Sequence, residues 1–184
     1  HGFDYVIVRP HNVYGSKQNL DDPYRNVIGI FINCILNDKH FYIYGDGAQK
    51  RAFTYIDDFT PYFIKCGFLD SVRGEILNIG PTEEYTINQL SSAVLTTFFP
   101  DGNVPKHLTP EHLPLRPQEV VEAYCTNDKA VRLLGYKTTV SLKEGVKRMV
   151  EWAKTMGPQT FRYLDEGLEL ETHDTPATWS KKLI

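Results

Sequence analysis

Residues 5–15 read Tyr-Val-Ile-Val-Arg-Pro-His-Asn-Val-Tyr-Gly. Tyr5, Val6, Ile7 and Val8 form a short apolar run rich in β-branched residues, the pattern of a strand buried on both faces of a parallel sheet. A polar loop opens at Arg9-Pro10-His11-Asn12, turns at Gly15 and runs to Asp22. A buried strand needs neighbours on both sides, and four residues are too few to supply one ahead of it. His1 stands where an initiating methionine would be. The reading therefore favours a chain that starts inside a sheet whose earlier strands lie upstream. The alternative is a chain that simply starts at this strand with its methionine removed.

Working outward, Asp22 can cap a helix with Pro23 in its first position, and Val27, Ile28, Phe31, Cys34 and Ile35 recur at helical spacing. Residues 41–44 predict a short strand closed by the turn Gly45-Asp46-Gly47, and residues 53–56 a second extended piece. A helix starts at Asp57 or Asp58 and runs through Lys65, with Pro61 early enough to be tolerated. These paired aspartates read as helix caps rather than catalytic carboxylates. Residues 75–79 predict a strand ended by Gly80-Pro81. Thr86-Ile87-Asn88-Gln89 is a capping box with Tyr85 and Leu90 as its staple, opening a helix to about Phe99. A proline-rich stretch (Pro105, Pro110, Pro114, Pro117) is expected to be extended or looped. Asn127 caps a short helix closed by Gly135, and Ser141-Leu142-Lys143-Glu144 is a second capping box. The helix it opens has Leu142, Val146, Met149, Val150 and Ala153 on one face and stops at Gly157-Pro158. Residues 159–184 show little periodicity. They are expected to drape over the surface, pinned by Phe161, Tyr163 and Trp179, with a partner-binding tail as the alternative.

Elements that alternate only in part, joined by long loops, suit the smaller lobe of a two-lobed α/β protein better than a complete doubly wound sheet. At 184 residues, 41% hydrophobic and 23% charged, the composition is that of one globular domain or of one lobe plus parts of another. A net charge of −3 offers no basic face for nucleic acid. No apolar run approaches the roughly 20 residues that span a bilayer, so no membrane segment is expected. Cys34, Cys66 and Cys125 are scattered singly, which fits a reducing, cytoplasmic setting better than a disulfide or zinc framework.

The chemistry that a nicotinamide dinucleotide site needs is not in these residues. No G-x-G-x-x-G or G-x-x-G-x-x-G is present, and Gly45 and Gly47 are turn glycines. No tyrosine has a lysine four residues on, the helical spacing that would bring an ammonium beside a phenol. His107, Glu111 and His112 do not have metal spacing, and Ser16, Ser91 and Ser92 lack a nucleophile's context. Neither a catalytic residue nor a metal ligand is assigned.

Three blocks in order, RPHNVYG (9–15), DPYRNVIGIFIN (22–33) and IYGDGAQKRAFTYIDD (43–58), resemble the extended short-chain dehydrogenase/reductases that act on nucleotide sugars. Weaker agreement continues through LNIG (77–80), LRPQEV (115–120) and the helix around Trp152. The resemblance is to the NAD-dependent epimerase/dehydratase family, nearest UDP-glucose 4-epimerases. It implies an α/β fold comprising the last strands and helices of an NAD(P)-binding Rossmann-like lobe with the C-terminal substrate-binding lobe. Residues 1–23 would end the Rossmann lobe. Residues 24–158 would be mostly substrate lobe, some segments returning to the sheet, and residues 159–184 would be an extension packed on the surface.

The resemblance also implies roles. Asn12 matches the asparagine that hydrogen-bonds the sugar or diphosphate; on its residues alone it could equally satisfy its own turn before Gly15. Asn26 and Val27 match positions contacting the diphosphate at a helix N-terminus. Tyr42 and Tyr44 match the strand bordering the uracil, and Arg51 and Arg116 match the two arginines that hold the diphosphate. Glu119 stands where the family commonly has an aspartate accepting from the ribose. Tyr124 falls near a substrate-facing tyrosine, one residue off the pattern. Pro10 and His11 match the residues beside the nicotinamide, where packing matters more than proton transfer. The implied reaction is oxidation of the sugar C4 hydroxyl by NAD, rotation of the keto sugar and return of hydride to the other face, in an enzyme that is commonly a homodimer. UDP-glucuronate decarboxylases and 4,6-dehydratases share these blocks and stay open as alternatives, as does a non-catalytic nucleotide-sugar-binding module.

Overall fold

A computed structural model describes residues 2–116, 118–164, 172 and 174–184. Pro117 and the tail carboxylates Asp165, Glu166, Glu169 and Glu171 lie outside them. The first strand forms, but not as a buried one. β1 (Ile7–Pro10) runs parallel to β6 (Ile76–Ile79), with Ile7 opposite Ile76 and Pro10 opposite Ile79. Among the described residues these two strands make a sheet of their own, so one edge of β1 is open and Ile7 is 45% exposed. Apolar composition reports what a strand can bury; a second neighbour decides whether it does.

The remaining strands are short and mostly parallel, giving the expected α/β class. β2 (Val13–Tyr14) pairs with β5 (Thr54–Tyr55) and β3 (Tyr42–Tyr44) with β8 (Glu111–Leu113), both in parallel. β4 (Lys50–Arg51) lies between β7 (Tyr85–Thr86), antiparallel, and β9 (Glu122–Ala123), parallel.

Six α-helices among the described residues complete the order: α1 (Val27–Leu36), α2 (Ile56–Cys66), α3 (Ile87–Phe98), α4 (Asp128–Leu134), α5 (Leu142–Met156) and α6 (Ala177–Ser180). In α3 the capping box closes in both directions: Gln89 N donates to Thr86 Oγ1 at 3.0 Å, and Thr86 N donates to Gln89 Oε1 at 2.8 Å. Other helix starts differ from expectation. Asp22 does not cap α1; its Oδ1 accepts from Tyr24 N at 2.8 Å in a local Asx turn, and the helix starts later with Asn26 in left-handed conformation at φ 61°. Asn127 sits at the N-cap of α4 but its Nδ2 donates to Gly80 O at 2.8 Å. Ser141 Oγ accepts from Glu144 N, while Glu144 turns outward to Arg148 at 2.7 Å instead of closing the box.

Asp58 is likewise not a cap. It is buried, and its carboxylate accepts from Thr139 N and Val140 N, both at 2.9 Å, and from Thr139 Oγ1 at 2.5 Å. It thereby ties α2 to the turn ahead of α5. Asp57 is the exposed partner, 3.8 Å from Arg148.

Two cores result. The larger joins Ile28, Phe31 and Ile32 of α1, Leu90 and Val94 of α3, and Val146, Met149 and Val150 of α5. Each such buried Val, Leu, Ile, Phe or Met contributes about 1.5–3 kcal/mol relative to exposure. The contact is close enough that Gly145 is required in α5: a Cβ there would stand 2.1 Å from Tyr14 Oη. The smaller core joins Leu77 and Ile79 of β6, Cys66 of α2, Ala130 and Leu134 of α4, and Tyr136.

The tail is more than draped. Phe161 and Tyr163 do pack on the larger core, but the last residue, Ile184, is buried in it, and α6 had no periodic signal. Buried Asn33 of α1 fastens the start of the segment, donating to Gln159 O and accepting from Gln159 N, both at 2.9 Å.

Candidate functional site

The parallel pairings bring distant blocks to one cavity of about 330 Å³. Just past β1, Asn12 takes a positive φ of 32°, and its Nδ2 donates to the buried Ala52 O at 2.7 Å. An amide side chain tolerates this backbone region better than most, so residue type and conformation agree. Asn26, Val27 and Ile28 bring the N-terminus of α1 to the same cavity. Asn26 makes no side-chain cap to that helix, so the first N–H groups and the positive end of the helix dipole face outward.

The same cavity is lined by a three-residue charge cluster. Arg51 Nη2 donates to Glu119 Oε1 at 2.6 Å, and Arg116 donates through Nε and Nη2 to Glu119 Oε2, both at 2.5 Å. The Glu119 side chain is 3% exposed, that of Arg51 17% and that of Arg116 36%. Arg51 Nη1 also donates to Lys50 O at 2.7 Å. One buried carboxylate thus orients two guanidinium forks in the cavity wall and leaves a net charge of +1 there.

Three tyrosines add to the wall. Tyr42, Tyr44 and Tyr24 line the cavity, and the Arg116 guanidinium lies 5.0 Å over the Tyr44 ring. Burial and the neighbouring Glu111 carboxylate push the Tyr42 phenol above its usual range, so it stays a neutral donor. Gln49 lines the cavity too: its Nε2 donates to Tyr44 O at 3.0 Å, while its buried Oε1 has no protein partner. A buried acceptor in a cavity wall is one an occupant can satisfy.

Eight residues expected at the site line this cavity: Asn12, Asn26, Val27, Tyr42, Tyr44, Arg51, Arg116 and Glu119. Tyr124 is not brought there; it follows β9 and is 55% exposed. Pro10 and His11 lie beside Asn12 but outside the lining, at the C-terminal end of β1, where His11 N donates to Ile79 O. The His11 imidazole touches Cys125 Sγ. Burial lowers its pKa from the ordinary 6.5, against an opposing hydrogen bond with the Pro81 backbone.

Residues 1–80 match the NAD dependent epimerase/dehydratase family. Over 157 residues the chain is 35% identical to a putative UDP-glucose 4-epimerase of Methanocaldococcus jannaschii, covering 84% of this chain and 47% of that protein. The chain belongs to the NAD-dependent epimerase/dehydratase family. It is also 28% identical to a UDP-N-acetyl-alpha-D-glucosaminuronate decarboxylase of Bacillus cytotoxicus, over 82% of this chain and 46% of that protein. Among solved structures it resembles the UDP-glucuronic acid 4-epimerase of Bacillus cereus in complex with UDP-glucuronic acid and NAD. That match has a TM-score of 0.70 and 32% identity, over 82% of this chain and 45% of that one. The chain spans about half the length of the curated relatives it matches.

NAD is a ligand of this family, as that complex illustrates. In this chain the fit to it is partial. Pro10 and His11 carry a pyrrolidine and an imidazole ring, and Gly80 lets the chain pack closely against His11, since a Cβ there would stand 2.6 Å from His11 Cβ. These residues suit the flank of a ring. They do not form the glycine-rich pyrophosphate cradle that a dinucleotide needs, and none of the 184 residues supplies that motif.

Sequence reasoning missed Tyr24, Gln49, Thr178 and Trp179 in this cavity. Tyr24 and Gln49 sit inside the resembling blocks, so they were within reach of the same comparison. Thr178 and Trp179 lie in a segment without periodicity, and only the fold brings them in.

Proposed function

We propose that this chain holds the UDP-sugar in an NAD-dependent UDP-sugar 4-epimerase. The observation that carries the reading is the pair Arg51 and Arg116, fixed by one buried carboxylate in the cavity that the uncapped N-terminus of α1 also lines. Two oriented forks and a helix N-terminus suit a diphosphate, which takes bidentate donors and partial positive charge together. The lone pairs of Glu119 not used by the arginines accept from the ribose hydroxyls. The carbonyl of Asn12, whose amide N–H is committed to Ala52, accepts from the sugar. Pro10 and His11 flank the nicotinamide on the other side of Asn12. The similarity to 4-epimerases favours that reaction over decarboxylation, because the decarboxylase match is the weaker one.

The chain by itself is proposed to bind without turning over. Its 184 residues include no tyrosine with a lysine four residues on to move the sugar's proton, and no glycine-rich dinucleotide motif. Calorimetry with UDP-glucose tests the reading. Saturable binding is expected from the purified chain, weakened by Arg51→Ala, with no UDP-galactose formed when NAD is added. Unchanged affinity in Arg51→Ala removes the diphosphate assignment, and turnover by the chain removes the assignment of a binding role alone.

A further inference from the structure

The C-terminal segment reaches the same cavity, and its contacts are too many for a bystander. Thr178, Trp179 and Ile184 line the cavity alongside Tyr24 and Tyr44. Thr178 is buried and holds Tyr44 twice: its N–H donates to Tyr44 Oη at 2.9 Å, and its hydroxyl lies 2.9 Å from the same oxygen. The Trp179 ring meets the Tyr24 ring edge-on, 5.3 Å between centroids at 80°. Tyr24 in turn donates its hydroxyl to nothing in this cluster but accepts from Leu164 N at 2.9 Å, and Arg162 N donates to Asp21 O at 2.8 Å. The end of the chain is secured by Tyr163 Oη, which donates to Ile184 O at 2.9 Å.

These anchors hold a half-buried indole at the aromatic end of the cavity, beside Tyr24 and Tyr44. That end also contains the unpaired Gln49 acceptor, bonded to the Tyr44 backbone through its other atom. Flat aromatic surface beside an unpaired acceptor suits a planar heterocycle carrying an N–H donor, which a hexose or a phosphate is not. We infer that Trp179 is a nucleobase-positioning residue and that the C-terminal segment forms a wall of the pocket, packing the indole against the base of the bound nucleotide. The inference rests on the nucleotide-sugar reading above and adds to it a contact from outside the motif blocks.

The test separates the two. UDP and inorganic pyrophosphate are each titrated calorimetrically into the full chain and into Trp179→Ala, Trp179→Phe, Thr178→Val and Arg51→Ala, with circular dichroism to check folding. Trp179→Ala is expected to weaken UDP roughly tenfold, the scale of one base–aromatic stack, and to leave pyrophosphate unchanged; Trp179→Phe recovers most of the loss. Thr178→Val, which removes one of the two contacts to Tyr44 Oη without removing the indole, is expected to weaken UDP by a smaller factor. The chain has two tryptophans, so in a Trp152→Phe background UDP should alter the fluorescence of Trp179 saturably, at the concentrations at which calorimetry finds binding. If Arg51→Ala weakens UDP while Trp179→Ala and the fluorescence do nothing, the pocket reading stands and the inference fails. Tighter UDP binding in Trp179→Ala would mean that the segment plugs the pocket, which overturns it as well. If UDP does not bind the full chain, both readings fall together.

Discussion

Glu119→Ala removes the residue on which the candidate site turns, and the structure sets the size of the effect. The carboxylate is 3% exposed and takes three charge-assisted hydrogen bonds from two arginines. Two guanidiniums sharing a carboxylate stand on the order of 6 Å apart; without it they repel by about 0.7 kcal/mol at the dielectric of water and about 3 kcal/mol at an effective dielectric of 20. Breaking a fully buried pair costs about 3–5 kcal/mol. Here Arg116 is 36% exposed, so water replaces part of what it loses. A destabilisation of about 2–3 kcal/mol follows, read as a lower midpoint in urea at unchanged slope. For UDP two effects compete. The site charge rises from +1 to +2, an added attraction of about 1 kcal/mol or less where salt and solvent screen it. Against that, two long side chains must now be immobilised by the ligand itself, at about 0.5–1.5 kcal/mol each. Positioning wins, and UDP is expected to bind several-fold more weakly with a steeper dependence on salt, while Glu119→Gln, which keeps one acceptor, falls between. Stability within 0.5 kcal/mol of the parent, together with unchanged or tighter UDP binding, would refute the idea that this carboxylate organises the two arginines.

Three further outcomes follow from packing and burial. Asp58→Ala leaves two backbone N–H groups and a hydroxyl without their acceptor; at about 1–3 kcal/mol per unmade buried bond, with the hydroxyl free to turn away, about 3 kcal/mol is lost in urea unfolding. Gly145→Ala drives a methyl into Tyr14 Oη and costs about 1–3 kcal/mol, seen as a lower Tm, of which Tyr14→Phe in the same chain restores a part. His11 has its pKa lowered by burial, so the unfolded chain binds the proton more readily. Its contribution is complete above the unfolded value of 6.5 and is lost as pH falls from there through the folded value. The urea midpoint should therefore decline from pH 7 to pH 5, and His11→Gln should flatten that decline.

How much could be read beforehand depended on whether the cause of a feature is local. The stripe Leu142, Val146, Met149, Val150 and Ala153 is buried along its whole length, because a 3.6-residue period states which face a helix will bury. The Thr86–Gln89 box closes because all its atoms lie within one turn. Asp22-Pro23 misled because an aspartate two residues before an N–H makes an Asx turn as readily as a helix cap, and nothing nearby chooses between them. Asp58 misled for a longer-range reason: its donors lie 81 and 82 residues away, and no local pattern announces them. The site divides in the same way. Arg51 and Arg116 were each recognisable from their motifs, but that they share one carboxylate depends on the fold, which brings the segment after β8 back to β4.

The chemistry of the cavity wall is uneven, and this bears on what the site could do. It offers two guanidiniums oriented by Glu119 together with the uncapped N-terminus of α1, whereas Asn12 contributes one neutral amide already half committed to Ala52. Charge-assisted bonds are roughly twice as strong as neutral ones, so a nucleotide sugar bound as proposed is held mainly by its diphosphate. A reaction that returns hydride to the opposite face of the same carbon requires the hexose to turn over while the nucleotide stays. Strong contacts to the hexose would resist that turn at every cycle, whereas strong contacts to the diphosphate do not change during it. The inequality of grip is what such a reaction asks of its binding residues.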